Sequence, residues 1–195
     1  MNLGTFLTTF GIIFLAELGD KTQVTAMTLA TRYPWRKVFS GLAAAFVVLN
    51  LAAVAVGSLL FTLLPLFWVK LVSGALFLFF AVATLRARGG DAAEEEAGEK
   101  KLAGKGPVFT SFVMTLFAEM GDKTQLVTAS LAAQHDSILA VFIGSTLALW
   151  SVSLIGIFAG RQLARFIPLP TLHRIAGVLF LVFGVVVLYQ AFFVR

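Results

Sequence analysis

Six apolar runs alternate with short polar junctions along the chain, at residues 4–31, 38–64, 67–86, 107–133, 137–160 and 170–193. Each run reaches the roughly 20 residues that a helix needs to cross a hydrocarbon core of about 30 Å. All five prolines fall at or near the junctions, where helices begin or end. The pattern predicts an all-α membrane protein with six transmembrane helices.

The composition of the chain agrees with this prediction. Hydrophobic residues make up 59% of the 195 residues and charged residues only 13%, a balance far from that of soluble domains. There is no cysteine, which excludes disulfides and thiolate metal sites. The net charge of +5 reflects Lys and Arg at the ends of the apolar runs, so the expected partner is the lipid bilayer, and no nucleic acid is expected.

The basic residues at the junctions divide unequally between the two sides of the predicted helical array. One side has only Lys70 and Arg195. The other has eleven: Arg32, Arg36, Lys37, Arg86, Arg88, Lys100, Lys101, Lys105, Arg161, Arg165 and Arg174. Because cytoplasmic loops are enriched in Lys and Arg, we expect both termini outside the cytoplasm and the central loop inside it. The expected location is a prokaryotic plasma (inner) membrane, with the first run kept as a helix rather than cleaved as a signal peptide.

The two halves of the chain repeat one sequence. At an offset of 102, residues 4–23 align with residues 106–125 and share AE-x-GDKTQ. At an offset of 103 the match continues, for example from Gly74 to Gly177. Three helices per unit is an odd number, so the second copy must cross the membrane in the opposite sense. Such inverted repeats are typical of transporters, whose substrate site lies near the bilayer midplane at the repeat interface.

This duplication divides the chain into three parts. We expect a first three-helix repeat at 1–85, a flexible cytoplasmic linker at 86–106 and a second, inverted three-helix repeat at 107–195. The linker mixes acidic and basic residues with glycines and has too few large apolar residues to order itself. Its acidic run at 94–96 is expected to be a solvated tether, with recruitment of cations as the alternative.

Only four carboxylates fall inside the apolar runs, about halfway along the first and the fourth: Glu17, Asp20, Glu119 and Asp122. With Lys21 and Lys123 they would cost on the order of 15 kcal/mol at the centre of a membrane if left unpaired. Residues at i, i+3 and i+4 share one face of a helix, so each E-x-G-D-K motif has one charged face. If the two faces oppose each other, the four carboxylates form one cage.

Amide and hydroxyl groups adjoin this predicted cage. Gln23 and Gln125 lie toward the edge of the charged faces and would join the cage if the helices unwind at Gly19 and Gly121, as helices do where their backbone lines a cavity. The motif threonines are expected to hydrogen-bond backbone carbonyls, with contact to an ion as the alternative: Thr22 and Thr124.

Oxygen atoms are the ligands that this cage offers, since His135 and His173 lie near the ends of apolar runs. Such donors favour the hard divalent cations Ca²⁺, Mn²⁺ and Mg²⁺. Four carboxylates and two ammonium groups leave a charge of −2, which one divalent ion would neutralise, or protons in its absence. We expect a secondary transporter that exchanges a divalent cation for H⁺, with no resident cofactor and no catalytic residue.

Two copies of E-x-G-D-[KR]-[TS] in six apolar runs with an acidic central loop resemble uncharacterised protein family 0016. That family includes the bacterial manganese exporter MneA and its Golgi and chloroplast homologues, so the resemblance implies exchange of Mn²⁺ or Ca²⁺ for H⁺. It covers nearly the whole chain except the linker, and ELGDKT and EMGDKT both conform to the motif. The family's motif acids carry over to Glu17, Asp20, Glu119 and Asp122.

Three alternatives remain open. Lys21 and Lys123 would form only a buried strut if they do no more than pair with the motif glutamates. The carboxylates would also suit an exporter of basic amino acids. An intramembrane lipid pyrophosphate phosphatase would need cationic groups near the acids, and only the two motif lysines are close in sequence. The choice between Mn²⁺ and Ca²⁺ does not follow from the sequence, and neither does the oligomeric state, for which a homo-oligomer stays open.

Overall fold

A computed structural model describes residues 2–86, 105–134, 137–166 and 169–193. These parts of the chain are all-helical and contain eight α-helices and no strand. In chain order the helices are α1 Leu3–Glu17, α2 Lys21–Arg32, α3 Trp35–Leu63, α4 Leu66–Arg86, α5 Pro107–Glu119, α6 Lys123–Gln134, α7 Ile138–Phe166 and α8 Leu169–Phe193. The predicted all-α class is therefore confirmed.

The structure differs from the predicted six helices in the first and fourth apolar runs, because each of them contains two shorter helices. The breaks fall at Gly19, with φ of 86°, and at Gly121, with φ of 80°. Backbone in this left-handed region is favourable for glycine and unfavourable for residues with a Cβ atom, so glycine in the motif permits the break.

Four helices in the described residues are long and apolar enough to cross a membrane: Trp35–Leu60, Leu66–Arg86, Ile138–Phe158 and Arg174–Phe193. The first halves of the broken helices, α1 and α5, are apolar but shorter. Large side chains on α4 and α8 stay on the outside of the fold, for example Phe79 with 65% and Val185 with 55% of their surface exposed. Such a surface suits contact with lipid.

The long helix of each half of the chain packs against the broken helix of the other half. The long helix α3 of the first half packs against α5 and α6 of the second, and the long helix α7 packs against α1 and α2 of the first. The helices α4 and α8 pack against each other. Each broken helix is therefore held by the half of the chain to which it does not belong.

Glycines permit these close helix contacts. A Cβ atom added to Gly41 on α3 would lie 2.1 Å from the Ser111 Oγ and 2.3 Å from the Val108 carbonyl oxygen on α5. At the equivalent position on α7, a Cβ atom on Gly144 would lie 3.0 Å from the Phe6 carbonyl oxygen on α1. Small residues at such contacts allow helix backbones to approach closely, as is common in membrane proteins.

Several residues used in the sequence predictions lie outside the described residues. They include most of the predicted linker, at 87–104, together with His135 and the side chains of Lys21 and His173. The linker and its acidic run therefore stay predictions.

Candidate metal centre

The four motif carboxylates stand at the two helix breaks. Glu17 and Glu119 are the last residues of α1 and α5, and Asp20 and Asp122 come directly before α2 and α6. The two breaks have the same backbone geometry, because the N–H of Asp20 donates to the Glu17 carbonyl at 3.1 Å and the N–H of Asp122 donates to the Glu119 carbonyl at 3.1 Å. An aspartate at the start of a helix also complements the positive end of the helix dipole.

Two motif glutamines hold these breaks in shape. The N–H of Gly19 donates to the Gln23 Oε1 at 2.8 Å, and the N–H of Gly121 donates to the Gln125 Oε1 at 2.7 Å. These amide oxygens satisfy N–H groups that the interrupted helices leave without a helical partner. The helices do unwind at the glycines, but the structure shows both glutamines as supports of the turn.

Three carboxylates from the two breaks come together. Glu17, Glu119 and Asp122 each offer an oxygen, and these oxygens lie within 4.8 Å of one another. Glu17 is fully buried and Glu119 is 3% exposed, so water screens their charges little. Buried like charges at this distance repel strongly, and the arrangement needs a cation or protons to be favourable.

The fourth carboxylate, Asp20, joins the group through Lys123. The Lys123 ammonium group donates to the Asp20 Oδ2 and lies 3.3 Å from the Asp122 Oδ2 and 3.6 Å from the Glu17 Oε1. One lysine thus contacts carboxylates of both motifs.

Hydroxyl groups also reach the centre. Thr22 donates a hydrogen bond to the Glu119 Oε1 of the other motif, rather than to the backbone carbonyl that we expected. Thr124, at the equivalent place in the second half, is buried. The pairing of Thr22 with Glu119 is a second link between the two motifs.

Some buried polar atoms have no hydrogen-bond partner among the described residues. They include both carboxylate oxygens of Glu17 and the hydroxyls of Thr115 and Thr128. Thr115 precedes Glu119 by one helical turn and so lies on the same face of α5. Neither threonine belongs to the E-x-G-D-K-T-Q motif, but the repeat aligns them with the apolar Ile13 and Ala26 of the first half. A polar residue in one copy at the place of an apolar residue in the other was the sequence signal that could have identified them.

The oxygen atoms of the centre are of the kind that bind cations. They come from carboxylates, with hydroxyl groups beside them, and such donors suit hard divalent ions. Carboxylate oxygens buried in a membrane protein are costly and mark ion or proton pathways. An all-helical membrane protein with such oxygens at two interrupted helices has the construction of a secondary ion transporter.

Comparison with known proteins gives the family. The chain belongs to the GDT1 family, whose model is described as "Divalent cation/proton antiporter GDT1" and matches residues 5–92 and 107–194 separately. This finding confirms the family resemblance of the two motifs. The chain is therefore an integral membrane protein, and its family is one of transporters rather than of enzymes.

Several relatives match over most of their length. The chain is 36% identical to GDT1-like protein sll0615 of Synechocystis over 90% of this chain and 92% of that one. It is 33% identical to the "Putative manganese exporter" of Vibrio cholerae over 93% of this chain and 87% of that one. It is 30% identical to GDT1-like protein 4 of Oryza sativa subsp. indica, over 92% and 71% respectively. No solved structure matches the chain.

Proposed function

We propose that this protein exchanges a divalent cation, Mn²⁺ or Ca²⁺, for H⁺ at one site between the two broken helices. The observation that carries the proposal is the group formed by the buried Glu17 and Glu119 and the partly exposed Asp122. Carboxylates so close together need a positive partner, and a divalent ion or protons can serve in turn. Competition between two ligands for one set of oxygens is the basis of exchange.

The transport mechanism that we propose is alternating access. The two halves have the same order of helices and an odd number of predicted crossings, which favours inverted repeats with the site near the bilayer midplane. Both halves contribute to the site, so a rocking of one half against the other would expose it to either side. The distribution of Lys and Arg supports termini outside the cytoplasm, and the membrane that we propose is a prokaryotic inner membrane.

Manganese is the first ion to test. The Vibrio cholerae relative is named for manganese export, and oxygen ligands suit Mn²⁺ as well as Ca²⁺. The family match lends no support to export of basic amino acids or to a lipid pyrophosphate phosphatase.

Proteoliposomes with an imposed pH gradient test the proposal. We expect Mn²⁺ or Ca²⁺ flux to depend on the gradient and to change the internal pH, and a protonophore to stop the flux. Glu17→Gln and Glu119→Gln should each abolish it, whereas Glu99→Gln in the predicted linker should not. Displacement of Mn²⁺ by lysine or arginine but not by Ca²⁺ would show that the substrate is a basic amino acid.

A further inference from the structure

Lys123 lies among the carboxylates rather than beside them. It is the first residue of α6, and its Nζ contacts the Asp20 Oδ2, the Asp122 Oδ2 at 3.3 Å and the Glu17 Oε1 at 3.6 Å. Its side chain is only 15% exposed. Three carboxylates from two distant parts of the sequence thus share one ammonium group.

Two of these three carboxylates also belong to the three-carboxylate group that we propose binds the ion. Glu17 and Asp122, together with Glu119, supply the oxygens that lie within 4.8 Å of one another. A divalent ion bound by the same oxygens would lie next to the ammonium group, and the two positive charges would repel each other in a buried setting. Both cations cannot keep close contact with Glu17 and Asp122 at once.

We infer that the Lys123 ammonium group is a tethered competitor that offsets part of the site's negative charge when no divalent ion is bound and withdraws when one binds. The inference rests on the proposed function. Lys123 would then contribute to ion selectivity. An ion can bind only if it attracts the carboxylates more strongly than the single charge of the ammonium group does, and a divalent ion meets this condition better than a monovalent one. In the ion-free form Lys123 also links α6 to the break of the first half.

A purely structural lysine would behave differently. A lysine that acts only as a strut stabilises the fold. Its removal would leave the affinity of the site for ions unchanged or would lower it. A competitor lowers the apparent affinity, so its removal must tighten binding. The equilibrium dissociation constant for the ion therefore separates these roles.

The test is equilibrium binding of Mn²⁺ and Ca²⁺ to the purified full-length chain by calorimetry. We expect Lys123→Met to lower the Kd about tenfold, which corresponds to ~1.4 kcal/mol. Lys123→Arg keeps the charge and pairs well with carboxylates, so it should bind ions no more tightly than wild type. Lys70→Met removes a lysine from α4, outside the site, and should leave the Kd unchanged.

A measurement on the wild type avoids any effect of mutation on folding. Labelling of Lys123 by an amine-reactive reagent, followed by mass spectrometry, should increase severalfold when Mn²⁺ is added, whereas labelling of Lys70 should not change. Wild-type protein that binds neither ion would overturn the proposed function and this inference with it. If the wild type binds Mn²⁺, an unchanged or higher Kd in Lys123→Met, or unchanged labelling of Lys123, would overturn this inference alone.

Discussion

Replacing Glu17 by glutamine should raise the stability of the ion-free protein while it removes ion binding. The carboxylate of Glu17 lies 3.6 Å from the Lys123 Nζ and within 4.8 Å of oxygens of Glu119 and Asp122. With all three carboxylates ionised, at a pH too high for protons to occupy the site, and at an effective dielectric constant of about 20, the attraction is ~4.6 kcal/mol and each repulsion is at least ~3.5 kcal/mol. The net repulsion that glutamine relieves is therefore about 2 kcal/mol.

Two further features of the site act in the same direction. Neither oxygen of Glu17 accepts a hydrogen bond from the described residues, so a buried charge is replaced by a neutral amide of the same shape. The new NH₂ group can donate to a neighbouring carboxylate. For a chain of this length, about 2 kcal/mol corresponds to an increase in Tm of ~4–8 °C.

The assay is thermal unfolding of the purified protein in detergent, with and without Mn²⁺. Wild-type Tm should rise with Mn²⁺ by mass action, whereas the Glu17→Gln protein should start higher and not respond. Asp20→Asn is the matched comparison, because Asp20 pairs directly with Lys123. It should lower the Tm of the ion-free protein. A Glu17→Gln protein that melts below wild type in the absence of ions would refute the electrostatic reasoning.

Three further substitutions test the framework of the site. Gly41→Ala places a Cβ atom 2.1 Å from the Ser111 Oγ and 2.3 Å from the Val108 carbonyl, so it should cost about 1–3 kcal/mol by overpacking and lower the Tm. In Gly121→Ala the added Cβ atom meets open space, but the alanine must adopt φ of +80°. This substitution should lower the free energy of unfolding by ~1–2 kcal/mol and slow transport, and Gly121→Asn should lower it less. Gln125→Leu leaves the Gly121 N–H without its amide partner and should cost ~1 kcal/mol, measured by thermal unfolding.

The sequence predicted the apolar helices well because their signal is local. A run of about 20 apolar residues identifies a membrane helix without knowledge of its neighbours. The predicted runs at 38–64 and 67–86 therefore agree closely with α3, Trp35–Leu63, and α4, Leu66–Arg86. The two helix breaks were harder, since glycine is common in membrane helices. Unwinding at Gly19 and Gly121 was expected only if Gln23 and Gln125 were to join the cage.

The pairing of side chains across the two motifs could not be read from the sequence. Helical spacing places Glu17, Asp20 and Lys21 on one face, and the obvious pairs lie within a motif. In the structure the lysine of the second motif pairs with Asp20 of the first, and Thr22 pairs with Glu119. Such contacts depend on how two backbones meet, and that information is absent from the spacing of residues within either one.

These crossed contacts explain why the duplication matters for the chemistry. One E-x-G-D-K-T-Q motif supplies two carboxylates, and a lone half has no second broken helix to bring a third carboxylate close. The group within 4.8 Å takes Glu17 from one half and both Glu119 and Asp122 from the other. The long helices enforce this, because α3 packs on the second broken helix and α7 on the first. A site assembled in this way responds to any movement of one half against the other, which is the property that alternating access requires.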